Sequence, residues 1–299
     1  MRVFALVAAA LMVSLAPLHA QNTAGSITGS IHDPQGAVIP NAKVTLTNEA
    51  QGPGSAREVT SNSEGTFVFT PVLPGNYTIT VQVSGFKKYS QSGLVLDISD
   101  RLGIPPITLE VGATGETVTV ESTATKLETV SAERSGVVTG KQMVDIALNG
   151  RNFTGLLKTV PGVSADAAGG TATINGQRGD QNNFTVDGQT VTDIGVNQQF
   201  AYRINVDAIA EFKVSTNSQG SEFGRNSGAQ VQVVTKSGTK DFHGSGYWFK
   251  RGEWMNANTF TNNFNGTPIP AYRFMTAGYT LGGPIYVPGK FNKDKDKLF

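Results

Sequence analysis

From Ser26 onward the chain is written in short apolar–polar alternations cut by glycine and proline, and that pattern commits it to β structure. The clearest case is Tyr77-Thr78-Ile79-Thr80-Val81-Gln82-Val83, where a period of two puts Tyr77, Ile79, Val81 and Val83 on one face. Pro74-Gly75-Asn76 before it is a turn. Ser26–Ile31 alternates in the same way, as does Lys43–Thr47 with Val44 and Leu46 on one face; Thr66–Phe69 follows the turn Ser63-Glu64-Gly65. The 35 glycines fall between such alternations, with Asn, Asp and Pro beside them. After the first residues no segment is apolar enough for a transmembrane helix, so a β-barrel is the remaining way for this chain to cross a membrane.

Length and composition narrow the function. The 299 residues suffice for about two or three domains. Without cysteine the chain has no disulfide, no thiolate metal site and no cysteine nucleophile. Its histidines, His19, His32 and His243, are far apart and show neither a His-x3-His nor a His-Glu-x-x-His spacing, so no metal site is expected. No His/Asp/Ser set stands at useful spacing either; we expect no enzyme and no cofactor. Charged residues make up 16% and the net charge is +1, which offers no basic field for nucleic acid.

Met1-Arg2, an apolar run from Val3 to Leu15, and Ala16-Pro17-Leu18-His19-Ala20 before Gln21 form the pattern of a secretory signal peptide over residues 1–20. The run is short for a membrane span, and the alternative is an uncleaved anchor.

Residues 25–110 read as a two-layer β-sandwich of about seven strands. Gly29–Gly36, Ile39–Val44, Glu64–Phe69, Leu73–Tyr77 and Gly85-Phe86 together resemble the carboxypeptidase regulatory-like domain. The resemblance implies a transthyretin-like sandwich, also described as a carbohydrate-binding-like fold. It does not imply peptidase activity. Phe67, Phe69 and Tyr77 fit the core pattern, and sugar binding stays open as a second use of this module.

Residues 111–135 are Thr-, Ser- and Glu-rich and read as an extended linker. Within them Glu116-Thr117-Val118-Thr119-Val120 resembles the TonB box, the segment that precedes the plug in TonB-dependent receptors. Such a segment has to add itself as a strand to the edge of a partner, the TonB periplasmic domain, and Thr and Val favour the extended backbone this needs. The same residues also suit a last strand of the sandwich, or plain linker.

Residues 136–240 have mixed character. Val144, Leu148, Leu156, Leu157 and Val160 permit two short helices broken at Asn149-Gly150, the second ended by Pro161-Gly162. A strand pair is expected at Thr173–Arg178 and Asn183–Gly188, with Asp187-Gly188 as a tight turn. Leu157 to Val163 with Pro161-Gly162, the pair Asp187-Gly188, Ile209-Ala210-Glu211-Phe212-Lys213-Val214, and Gly228 to Gly238 follow the order found in the plug of TonB-dependent receptors, especially the Oar-like subgroup. The resemblance implies an α+β plug that fills a barrel lumen and is loosened by force on the box. Glu211, Glu222, Arg178 and Arg225 are its candidate latch charges.

Residues 241–299 open a barrel. Asp241 to Arg251 alternates around the cluster Tyr247-Trp248-Phe249, as outer-membrane strands do near an interface. Asn256 to Ala271 is loop-like, Tyr279–Ile285 resembles the second strand and turn of Oar-like barrels, and Lys293–Lys297 is a polar turn. The smallest outer-membrane barrels need about eight strands of about ten residues, so two strands and the start of a third leave the barrel incomplete. A fragment of a longer receptor is therefore expected.

The fold class that follows is mostly β: an N-terminal sandwich, then an α+β plug, then the first strands of an incomplete outer-membrane β-barrel. The leading function is a component of a TonB-dependent receptor that takes up an unidentified solute. It would be exported to the outer membrane of a Gram-negative bacterium, with its N-terminal domain periplasmic and outer-membrane lipid around the full-length barrel. The alternative is a secreted carbohydrate- or protein-binding sandwich without transport.

Overall fold

The computed structural model describes residues 23–112, 115–121, 131–146, 148–164, 172–193, 195, 204–217, 220, 223–224, 226–295 and 298–299. The expected signal peptide lies outside the described residues, and so do Glu222 and Arg225. The described chain divides into two compact units, one running up to Glu49 and from Ala56 to Lys236, the other taking Ala50–Ser55 with Ser237–Phe299.

The first unit begins with nine strands: β1 (Gly25–His32), β2 (Lys43–Asn48), β3 (Arg57–Thr60), β4 (Thr66–Val72), β5 (Gly75–Gln82), β6 (Lys88–Leu96), β7 (Arg101–Gly103), β8 (Ile107–Thr108) and β9 (Thr117–Glu121). One sheet runs β4-β1-β7, with β8 also on β1; the other runs β3-β2-β5-β6-β9. The period-two pattern decides which side chains meet between them. Ile27, Ile31, Phe67 and Phe69 from the first sheet face Val44, Leu46, Tyr77, Ile79, Val81, Leu94 and Leu96 from the second. Phe67 and Phe69 meet edge to face at 6.1 Å. Fully burying one such side chain contributes about 1.5–3 kcal/mol. Tyr77 keeps its ring in the core while its hydroxyl donates to the Leu73 carbonyl at 2.8 Å, and burial raises its pKa above the ordinary tyrosine value.

The plug region follows as β10 (Arg134–Thr139), α1 (Gly140–Asp145), β11 (Val163–Ser164), β12 (Thr173–Ile174), β13 (Asn183–Val186), β14 (Gln189–Thr190), β15 (Ile209–Asn217) and β16 (Gln230–Thr235). The central sheet has the order β10-β15-β16-β13-β14. Its apolar face, Val138, Phe212, Val214, Val231, Val233, Phe184 and Val186, packs on Met143, Phe153, Leu156, Leu157 and Val160.

Three local expectations are corrected here. The first helix buries Met143 and leaves Val144 44% exposed, because the capping box between Thr139 and Gln142 sets the phase of this single short turn. The second expected helix is a 3-10 segment, Phe153–Thr159, entered from an Asn152 cap. The expected strand pair at 173–178 and 183–188 does not form. Asn175 and Gly176 both take positive φ, which turns the chain after Ile174, and β12 pairs with β11 instead. β13 pairs in parallel with β16.

The second unit is a long hairpin of β17 (His243–Gly252) and β18 (Arg273–Gly282), joined by a connection that holds the short helix α2 (Phe260–Phe264). Its ladder sets large side chains across from glycines: Tyr279 opposite Gly246, Leu281 opposite Gly244, Tyr247 opposite Gly278 and His243 opposite Gly282. A Cβ at Gly278 would lie 2.3 Å from the Tyr247 hydroxyl oxygen, so the ring occupies space that only glycine leaves.

Candidate functional site

Strand β9 holds four of the five box-like residues, Thr117, Val118, Thr119 and Val120, with Glu116 just before it. The structure seats the segment on the sandwich as its edge strand, parallel to β6, with Lys88 opposite Thr117 and Ser92 opposite Glu121. This matches the last-strand reading that the sequence left open. Within β9 no side chain is buried: Val118 is half-buried and Val120 is 38% exposed. What seats the strand is backbone pairing, begun by the Lys88 N–H donating to the Glu116 carbonyl at 2.9 Å. Beside it the Lys87 ammonium reaches Glu110 at 3.3 Å and Glu116 at 3.2 Å, strapping the two ends of the approach to β9. Those carboxylates, Glu116 first and then Glu110, raise the Lys87 pKa above the usual lysine value. The Lys87 stem lies over Gly112, where a Cβ would stand 2.7 Å from Lys87 Cγ.

The plug-motif residues perform separate tasks. Gly162, at φ 86°, lets the chain turn after Pro161, and its carbonyl accepts from the Asn175 N–H at 2.9 Å. Asp187 at φ 48° and Gly188 at φ 80° form the two-residue turn between β13 and β14, both in the left-handed region that a type I′ hairpin requires. The Asp187 carboxylate also accepts from the Thr235 N–H and hydroxyl, each at 2.9 Å, tying the turn to the end of β16. Phe212 is fully buried, its ring 5.7 Å from that of Phe153. Glu211 is buried and accepts from the Ile98 N–H at 2.6 Å, so this candidate latch meets the sandwich turn between β6 and β7. Arg178 precedes a 3-10 turn, and Gly238 lies beyond β16 in the second unit.

Sequence reasoning missed the polar face of the plug sheet. Lys213 and Ser215 on β15, Gln230 and Gln232 on β16, and Asn183 and Thr185 on β13 are all buried. Strict alternation in Phe212-Lys213-Val214-Ser215 and Gln230-Val231-Gln232-Val233 gives the faces. It does not tell that the polar one is covered. Lys213 pairs with Glu133 at 2.9 Å, Glu133 also accepts from Ser215, Asn183 donates to Gln230 at 2.9 Å, and Gln232 donates to the Ser99 hydroxyl at 3.2 Å. A part-buried Arg151–Asp207 ion pair was equally invisible because its partners lie 56 residues apart, and so was Asn182, fully buried and donating to the Ala172 carbonyl at 2.7 Å.

The hairpin has two unlike faces. Trp248, Met275, Ala277, Tyr279 and Leu281 share one, with Lys250 and Arg273 at its loop end, and Trp248, Met275, Tyr279 and Leu281 are 64–82% exposed. Ser245, Thr276 and Thr280 lie on the other with Tyr247 and Phe249. Among the described residues no group of three or more His, Asp or Glu could hold a metal, and no helix is long and apolar enough to cross a membrane.

Comparison with known proteins adds three family matches. Residues 26–121 match the carboxypeptidase regulatory-like domain, 127–231 the TonB-dependent receptor plug domain, and 234–299 an outer membrane beta barrel domain. The TonB-dependent transporter Oar of Myxococcus xanthus is 27% identical over 298 residues, covering 92% of this chain and 26% of that protein. The chain thus spans about a quarter of the length of this relative. Among solved structures, the outer membrane transporter YddB from Escherichia coli is 20% identical with a TM-score of 0.39, over 49% of this chain and 23% of that one. The siderophore receptor PirA from Pseudomonas aeruginosa is 16% identical with a TM-score of 0.37, over 51% and 24%. The chain is mostly β and carries the three matched domains in this order.

Proposed function

We propose that this chain is the plug-bearing part of a TonB-dependent outer-membrane transporter, with Glu116–Val120 as the strand through which TonB acts. The observation that carries the reading is the ordered succession of regulatory-like (26–121), plug (127–231) and outer-membrane barrel (234–299) matches along the chain. The domain scheme we propose keeps a sandwich from 25 with β9 as its edge strand, a plug over 136–240 and the barrel start from 241.

The geometry supports this assignment in two ways. The exposed face of β17 and β18, apolar from Leu281 to Trp248 with its charges, Lys250 and Arg273, at the loop end, is suited to lipid and the Ser/Thr-bearing face to a lumen, as in outer-membrane barrels. The plug sheet is buried on both faces, one of them polar and hydrogen-bonded. A polar interface of this kind gives way under load more readily than an apolar core, because water can replace its hydrogen bonds. The N-terminal sandwich would then be periplasmic. A solute would bind to parts of the transporter beyond the described hairpin.

Phe67, Phe69 and Tyr77 lie in the sandwich core and offer no aromatic surface to a sugar, which favours the transporter reading over a secreted carbohydrate-binding module. The test is capture of the TonB periplasmic domain by an immobilised peptide spanning Thr114 to Ser122. Retention supports the coupling strand, and its absence removes that assignment.

A further inference from the structure

We infer that β9 receives its partner strand while still seated on β6, so that the sandwich is a preformed docking platform for the coupling protein. This rests on the reading of Glu116–Val120 as the coupling segment. The partner is an extended strand of a TonB-type periplasmic domain, bound through its backbone.

The directions of the backbone groups carry the argument. The Lys88 N–H donates to the Glu116 carbonyl, and β9 runs parallel to β6 in unbroken register from Thr117 to Glu121. Alternate residues of a parallel strand turn both their N–H and C=O to the same neighbour. Val118 and Val120 therefore face β6, and Thr117, Thr119 and Glu121 turn their backbone groups to the opposite edge. Among the described residues the sheet order ends at β9, so that edge is where a further strand can add. A partner needs one edge of β9, and β6 uses the other.

A free five-residue segment would have to be ordered at the moment of binding, whereas the seated strand is already extended. Lys87 maintains that order through its bridges to Glu110 and Glu116. Those bridges go to side-chain carboxylates and engage none of the Thr117, Thr119 and Glu121 backbone groups. The side chains of β9 contribute nothing to the sandwich core, so they stay available to a partner without disturbing the fold.

The experiment uses the full 299-residue chain and the isolated TonB periplasmic domain as probe, at low ionic strength. Lys87→Met keeps the stem over Gly112 and removes the charge; Lys87→Arg keeps the charge. We expect Lys87→Met to weaken binding about threefold to fivefold, the scale of an exposed ion-pair network, and Lys87→Arg to restore it. In the complex, hydrogen exchange at the Val118 and Val120 amides stays slow while the Thr117, Thr119 and Glu121 amides become newly protected. Tighter binding by Lys87→Met, or loss of protection at Val118 and Val120 on binding, overturns the platform: β9 would then have to leave β6 first. Capture of the probe by the free peptide but not by the full chain also overturns it while leaving the coupling assignment standing. Failure of both peptide and chain removes both.

Discussion

Replacing Glu133 by alanine tests whether the polar face of the plug sheet is held as described. The carboxylate sits 2.9 Å from the Lys213 ammonium, with the lysine side chain 4% exposed and the glutamate 15%. Without it a lysine charge stays buried with no counter-charge from Glu133, and breaking a buried pair in this way costs about 3–5 kcal/mol. Ser215 also loses an acceptor, worth about 1 kcal/mol. The total is about 4–6 kcal/mol, a large share of the stability of a domain of this size. With a urea dependence of about 1–2 kcal/mol per molar, the unfolding midpoint falls by roughly 2–6 M. Hydrogen exchange of the β15 and β16 amides across a urea series reads this region separately from the sandwich. The pair Glu133→Leu with Lys213→Met removes both charges and is expected to recover all but about 1 kcal/mol. A midpoint shift below about 0.5 M for Glu133→Ala, or a double variant as damaged as the single one, refutes the buried-pair argument.

Gly188→Val forces a β-branched residue to φ 80° and is expected to cost about 1–3 kcal/mol, read as a lower thermal midpoint; no change would mean that the turn is not of the left-handed type. In vesicles of brominated lipid, the Trp254→Phe variant of this chain, which keeps Trp248 as its one tryptophan, should show strong quenching, and an unquenched Trp248 would reverse the two hairpin faces. Lys87 gives a pH signature. Because its folded pKa lies above the ordinary 10.5, its contribution to seating β9 is fully present below that value and is lost as pH rises through the raised one. NMR titration of the Lys87 side chain should therefore show a midpoint above 10.5, and a midpoint at or below it contradicts the strap.

Much of the sandwich was legible because its strands obey period two. Tyr77, Ile79 and Val81 are buried as read, and Phe67 and Phe69 meet them from the facing sheet. β3 and β6 were not read, since Arg57–Thr60 and Lys88–Leu96 mix polar residues into both faces. In the plug, Asp187-Gly188 announced its own turn, because that dipeptide tolerates positive φ at both positions. The pairing partners could not be read in the same way. β13 finds β16 across more than forty residues, and its register follows from burial on two faces, which local pattern does not encode. For the box-like segment Glu116–Val120, the sequence pointed to an extended backbone. The Lys87 strap beside its pairing with β6 needed the fold to bring Glu110 and Glu116 to one ammonium.

The glycines that face large side chains across β17 and β18 give the hairpin an address of its own. Sliding the strands by two residues in one direction would set Trp248 against Tyr279 and put Tyr247 over Thr280, with no dent to receive either ring. Sliding them the other way would place Lys250 opposite Arg273, where like charges repel. A two-stranded ribbon has no interior to choose its alignment, so these knob-and-dent pairs do that work locally. The two strands can thus arrive already aligned, without a third strand to guide them.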